Sequence, residues 1–402
     1  MGFFFFSNKQ ATLAKLQEAE RQLLDWVGNF GTRPDGFSLK VLDTEIDGSS
    51  IPLRHCQGKN PKYTIHGIHV ESTPAQQQQQ DDATTTTMTK TTTPLVLVHG
   101  YMNGAAYFYR NLQGLSHRFS NIYALDWLGW GQSSRPSFRL TNDSRTGAED
   151  FFCESLEAWR VRCGIDKMVL AGHSMGGYLS VAYCERYPQH VERLILISPV
   201  GVPEETDQIV SARRNSRRQS NRIVQQWFFG TLFRWGTTPC DALRVLPHST
   251  ARGYFTAWAN HHLKDNELLL PEERETVANY LYFNCVLPGS GEYALQRILN
   301  MYAYAKEPTV RRIPQLRVPH VSFLYGVDDW MDSSGGLAVQ QICQEQQQQH
   351  ESPKVSVYQV KDAGHMLLME NWAEFNAAMI LASGGTPPSD QPMPKTLQPQ
   401  QQ

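Results

Sequence analysis

From Pro94 onward the chain repeats one pattern, a short run of β-branched and aliphatic residues followed by a helical stretch. The runs are Leu95–Val98, Ile122–Asp126, Met168–Ala171, Leu194–Ser198, Val321–Tyr325 and Val355–Val360. Strands separated by helices are not hairpin partners, so they pair side by side in parallel. Runs without a polar face require helices on both sides of the sheet. A chain of 402 residues can bury one large α/β core of this kind together with an insertion. The rhythm stops over residues 201–312, which are irregular and rich in aromatics, with Trp227, Phe228, Phe229, Phe233 and Trp235 close together. This interval is expected to be a helical cap inserted over the active edge of the sheet.

The ends read differently. In residues 1–38, Leu13, Leu16, Leu23, Leu24, Val27 and Phe30 recur at the helical period, with charged residues opposite and Gly31 as a stop. Phe3 to Phe6 precede this stripe, and Lys9, Lys15 and Arg21 lie beside it. The segment is therefore expected to be an amphipathic, lipid-binding element ahead of a main domain over residues 39–384, with basic support from Arg213, Arg214, Arg217, Arg218 and Arg222 in the cap. Residues 75–93 are Gln, Thr and Asp with little to bury, which predicts a loose surface loop, and residues 385–402 are expected to form a disordered tail.

A formal net charge of -2 provides no field for a polyanion, which argues against a nucleic-acid partner. The 7 cysteines are scattered and lack any metal-ligand spacing, so they read as reduced thiols, and neither a metal nor a cofactor is expected. There is no apolar run of membrane-spanning length, and Met1 to Phe6 lack the basic start and cleavage site of a secretory signal. A cytosol-facing protein is expected.

The chemistry is announced by Gly172-His173-Ser174-Met175-Gly176, set between the run Met168–Ala171 and the helix-forming residues 177–185. A nucleophile on so sharp a strand-to-helix turn needs glycines on both sides, because side chains there would strike neighbouring backbone. A serine hydroxyl needs a histidine to take its proton, and that histidine needs an acid. His365 follows the last run in the small-residue loop Asp362-Ala363-Gly364, where the base belongs. For the acid, Asp328 and Asp329 compete in Gly326-Val327-Asp328-Asp329-Trp330. Asp329, three residues after Gly326, is the choice, and Asp328 reads as a solvated loop charge. The oxyanion donors are expected to be the backbone N–H groups of Met175 and Tyr101, in His99-Gly100-Tyr101-Met102, with His99 propping that loop.

With those pieces in place, the chain from about Leu13 to Ala382 resembles the α/β-hydrolase domain-containing proteins four and five and their plant and yeast relatives. The resemblance rests on Ala19 to Leu24, Val98-His99-Gly100-Tyr101, the run Asp126-Trp127-Leu128-Gly129-Trp130-Gly131-Gln132-Ser133-Ser134-Arg135-Pro136, Tyr325 to Met331, and Gly364-His365. It implies the α/β-hydrolase fold and work on acyl lipids: (lyso)phospholipid deacylation, acyl transfer to lysophosphatidic acid, or non-enzymatic co-activation of a triacylglycerol lipase at lipid droplets. The resemblance also implies a peripheral address on droplets or membranes, with a mitochondrial one left open. Co-activator members in animals carry asparagine at the nucleophile position, whereas Ser174 is retained here. The family's acyltransferase signature, His then Asp after four residues, reads His365 to Glu370 in this chain. Glu370 is thus either part of that motif or a helix-start carboxylate facing the dipole of the last helix. A hydrolase of small soluble esters is a third reading.

Overall fold

The computed structural model describes residues 9–73, 90–205, 237–263, 270–300, 304–346 and 352–399. The apolar runs become β3 (Leu95–Val98), β4 (Asn121–Leu125), β5 (Met168–His173), β6 (Val191–Ile197), β7 (His320–Gly326) and β8 (Lys354–Val360). Before them come β1 (Ser38–Asp47) and β2 (Lys62–Glu71), and after them β9 (Lys395–Leu397). Together they make a nine-stranded sheet in the order β1-β2-β4-β3-β5-β6-β7-β8-β9. The centre from β4 to β8 is parallel, while β1, β2 and β9 join antiparallel at the edges. Every residue of β3 and β5 is buried, as expected for strands covered on both faces. The helices α2 (Tyr109–Leu115), α3 (Arg145–Arg162) and α4 (Met175–Arg186) follow β3, β4 and β5. In such a sheet the loops leaving the carboxyl ends of the parallel strands gather along one edge, and the candidate site lies there.

Residues 239–286 supply the cap helices Pro239–Val245, His248–His262 and Pro271–Val286 inside the interval expected to be inserted. The aromatic group Trp227 to Trp235 and the arginines from Arg213 to Arg222 lie outside the described residues, as do Phe3 to Phe6.

Two expectations are corrected. The tail beyond residue 385 is not wholly disordered, because Lys395–Leu397 pairs with Val357–Gln359 as the last strand. The sequence there is Pro/Gln-rich, and three residues with an unpaired neighbouring strand edge suffice to form a short edge pairing. The apolar stripe of α1 (Lys9–Asp25) is not displayed for a lipid surface. Leu16 and Leu23 are fully buried, and α1 packs on the cap helix Pro271–Val286 and on the turn Ala105–Phe108. Phe30 continues the contact edge-on to Tyr109 and Trp372, each at 5.6 Å between ring centroids. From Lys9 to Phe30 the chain is thus part of the main core rather than a separate appendage.

A buried ion network fastens α1 further. His66 on β2 contacts Glu20 of α1 at 2.9 Å and Asp43 of β1 at 2.7 Å. Burial works against a charge on His66, but the two carboxylates outweigh it and push its pKa up to about 11. Glu20, His66 and Asp126 bring ligand-capable atoms within 4.8 Å of one another, but both imidazole nitrogens of His66 are engaged by carboxylates, and Asp126 accepts from the Ala105 and Gln132 N–H groups at 2.7 Å each. The hydrogen-bonded network accounts for these positions.

If the stripe of α1 is core, Leu16→Ala and Leu23→Ala each lose about 2–5 kcal/mol of stability and lower the melting temperature in a thermal denaturation series. Unchanged melting together with lost flotation on phospholipid vesicles would return the stripe to a lipid surface.

Candidate active site

Ser174 occupies the turn between β5 and α4 with φ 55° and ψ -116°, a conformation that non-glycine residues rarely adopt. It is held by close backbone packing. A Cβ on Gly172 would lie 2.4 Å from the Gly176 carbonyl oxygen, and one on Gly176 would lie 2.6 Å from the carbonyl oxygens of Val98 and His99. The Ser174 N–H donates to the Ile197 carbonyl at 2.8 Å, locking the turn to β6.

The loop after β8 brings His365 to the serine, with Nε2 3.1 Å from Ser174 Oγ and Nδ1 3.2 Å from Asp329 Oδ1. With Nδ1 protonated and donating to Asp329, Nε2 is free to accept the serine proton. Asp329 lies in the loop after β7, its side chain almost wholly buried. Burial drives its carboxyl up, yet hydrogen bonds from His365, Ser198 Oγ and the Met331 N–H prevail and hold the pKa below the ordinary carboxylate value. Asp328 is exposed, and it is its main-chain N–H that matters, donating 2.9 Å to the Ala363 carbonyl and joining the acid loop to the histidine loop. Of the two carboxylates weighed from sequence, the structure brings Asp329 to the imidazole.

The loop expected to supply the second oxyanion donor lies against Ser174, since a Cβ on Gly100 would be 2.8 Å from Ser174 Cβ. His99 props it as expected. Its Nδ1 donates to the Gly100 carbonyl at 2.7 Å, its Nε2 accepts from the Trp127 N–H at 3.2 Å, and Trp127 Nε1 donates to the His99 carbonyl at 3.0 Å. Met175 is the first residue of α4, so its N–H has no intrahelical acceptor, and no described residue accepts from the Tyr101 N–H. Met175 follows Ser174 in the chain, and Tyr101 follows Gly100, which packs on Ser174.

Other side chains contribute contacts that the sequence alone does not place. Ser198, just past β6 with φ 43°, donates to Asp329 Oδ2. His173, beside the serine in the same motif, is fully buried, with burial lowering its pKa to about 3. As a neutral donor, it gives Nε2–H to the His365 carbonyl at 2.9 Å. Trp330 is 62% exposed and leans on the His365 ring at 4.9 Å. Glu370 does not start the last helix. It ends the short helix Leu367–Glu370, Asn371 caps the following helix Trp372–Ala382, and Glu370 Oε2 turns back to accept from the Gly364 N–H at 2.6 Å.

The segment Asp126–Pro136 acts as a belt between this site and the cap. Gly129 and Gly131 turn with positive φ, and a Cβ on Gly131 would lie 1.9 Å from Asp126 Oδ2. Asn284 of the cap helix Pro271–Val286 accepts from the Gly131 N–H at 2.9 Å and from Arg135 at 2.8 Å, and donates to the Asn103 carbonyl at 2.7 Å.

Residues 93–371 match the family described as alpha/beta hydrolase fold. The chain is 31% identical over 297 residues to a probable 1-acylglycerol-3-phosphate O-acyltransferase of Oryza sativa, covering 72% of this chain and 66% of that one. Thus the chain spans somewhat less than two thirds of the rice protein's length. It is also 31% identical over 292 residues to the human (lyso)-N-acylphosphatidylethanolamine lipase, covering 71% of this chain and 78% of the lipase. Among solved structures, a putative hydrolase from Bacillus subtilis superposes with a TM-score of 0.55 at 17% identity, over 94% of this chain and 99% of that one, a likeness of fold.

The two carboxylates can be separated by the rate at which a fluorophosphonate modifies Ser174. Asp329→Asn should slow it by on the order of 10⁴, because the imidazole loses its tautomer, whereas Asp328→Asn should leave it close to unchanged. Ser198→Ala should fall between them, at roughly 10-fold, since one hydrogen bond to a buried charge is lost. The reverse order for the aspartates would move the acid to Asp328.

Proposed function

The chain belongs to the α/β-hydrolase fold family, and on that premise we propose that it is a serine hydrolase of acyl lipids, cleaving phospholipid, lysophospholipid or acylglycerol esters. The observation that carries this reading is the unbroken line Asp329–His365–Ser174 on a strained turn beside two candidate oxyanion donors. In the first half-reaction Ser174 Oγ attacks the ester carbonyl while His365 Nε2 takes its proton. The tetrahedral oxyanion is met by the N–H groups of Met175 and Tyr101, each such donor being worth roughly 10²–10³ in rate. Collapse expels the alcohol, which receives the proton from His365 and leaves an acyl group on Ser174. In the second half-reaction His365 deprotonates a hydroxyl that attacks this acyl-enzyme. Water gives hydrolysis, and the hydroxyl of a lysophosphatidic acid gives acyl transfer.

The lipid assignment draws on relatives named for acyl transfer to a glycerol phosphate and for cleavage of N-acylphosphatidylethanolamines. Such substrates reside in bilayers and droplets, so the protein is proposed to work as a peripheral visitor to those surfaces. Two exposed apolar side chains in the acid loop, Val327 at 50% and Trp330 at 62%, offer the surface an apolar edge beside the serine. Among the described residues no helix is long and apolar enough to cross a membrane.

Ser174→Ala is the decisive variant. It should abolish fluorophosphonate labelling and lower hydrolysis of a lysophospholipid panel by on the order of 10⁴ or more, with the melting temperature retained. Labelling that survives would identify another nucleophile, and a wild-type chain that labels but releases no fatty acid from any lipid in the panel would end the lipid reading.

A further inference from the structure

His365 belongs to a loop that must place an imidazole to within a fraction of an ångström, and besides the Ala363 carbonyl, which accepts from the Asp328 N–H, two side chains hold its main chain. On one side His173 Nε2–H donates to the His365 carbonyl at 2.9 Å. On the other, Glu370 Oε2 accepts from the N–H of Gly364 at 2.6 Å. We propose that Glu370 is a positioning residue for His365, whose carboxylate clamps the loop at Gly364 and so tunes the reactivity of Ser174 with pH. The proposal rests on the serine-hydrolase reading above.

The bond is not explained by helix capping. The helix Trp372–Ala382 is capped by the Asn371 side chain, which accepts from the Glu374 N–H at 3.3 Å, and Glu370 points back across its own short helix instead. Position 364 packs against both the acid loop and the clamp, for a Cβ there would lie 3.3 Å from the Asp328 carbonyl oxygen and 3.5 Å from Glu370 Oε2. Any shift at Gly364 passes directly to His365. The clamp also touches the cap, because His262, at the end of the cap helix His248–His262, lies 3.9 Å from Glu370 Oε1.

Charged and titratable groups face Glu370 from every side. Asp328 and Asp329 approach from the loop after β7, and the buried Tyr107 hydroxyl from the turn Ala105–Phe108. His262 faces it from the cap and His365 stands on its own loop. Arg110 of α2 is nearby, but its guanidinium is taken by Glu273 and the Met369 carbonyl. Burial is the first cause that raises the Glu370 pKa. The Gly364 and Met366 N–H groups pull it down, the two aspartates raise it further, and it settles at about 7. A carboxylate accepts a stronger hydrogen bond than a carboxylic acid, so the clamp is loose below neutrality and tightens as pH rises through that region.

The test is the rate of fluorophosphonate labelling of Ser174 in the full chain, followed from about pH 6 to about pH 9 for wild type, Glu370→Gln and Glu370→Ala. Glu370→Gln preserves shape and a neutral acceptor. It should equal wild type at the acid end and fall behind by roughly 5- to 10-fold at the alkaline end, losing one ionisation from the profile. Glu370→Ala should be slower at every pH. If that variant is unstable on melting, Glu370→Gln alone decides. A Glu370→Gln profile that superposes on wild type, or that is lower by one constant factor throughout, overturns the proposal. A wild-type chain that does not label at all overturns the hydrolase reading instead.

Discussion

The organisation of this molecule turns on one backbone conformation, that of Ser174 between β5 and α4. Holding a serine at positive φ costs on the order of 1–3 kcal/mol, and such strain persists only where the surroundings over-determine it. Here the surroundings are main chain. Gly172 and Gly176 let neighbouring backbone approach to distances that no Cβ tolerates, and the Ser174 N–H is bound to the end of β6. The same edge of the sheet carries the loops after β3, β7 and β8, so one strained residue becomes the point on which donors, acid and base converge.

Much of this was readable from residues alone, for identifiable reasons. The parallel strands are aliphatic on both faces and announce themselves as short runs. Strands β1 and β2, at one end of the sheet, carry exposed charges such as Lys40, Glu45 and Lys62, so no continuous run marks them. Strand β9 draws its structure from the unpaired edge of β8 rather than from its own composition. The stripe on α1 was visible, but periodicity states that a face is buried without stating against what. The partner is a cap helix more than two hundred residues later in the chain.

The site divides in the same way. Ser174 and His365 follow from motif and chain order, and Asp329 from its offset after Gly326. Ser198 and His173 act through contacts between loops that are distant in sequence, whereas Glu370 bonds to Gly364 only six residues before it. In Ser198 the available signal is only its position at the end of β6, and a serine there is as readily a turn residue. For Glu370, sequence offered a transferase motif or a helix-start charge, and the structure removes the second, because the residue ends its own short helix and its carboxylate folds back onto the loop that carries His365.

The three hydrogen bonds at Asn284 bear on how capped enzymes of this architecture can diversify. The side chain belongs to the inserted helices, yet its partners are the Gly131 N–H, Arg135 and the Asn103 carbonyl of the sheet-borne loops. A cap transplanted from a cousin without an equivalent amide would strand the buried Gly131 N–H and Asn103 carbonyl, each costing about 1–3 kcal/mol. The inserted helices and the edge of the sheet that carries Ser174 are therefore a single heritable unit in this protein, and recombination between relatives is constrained to break the chain elsewhere.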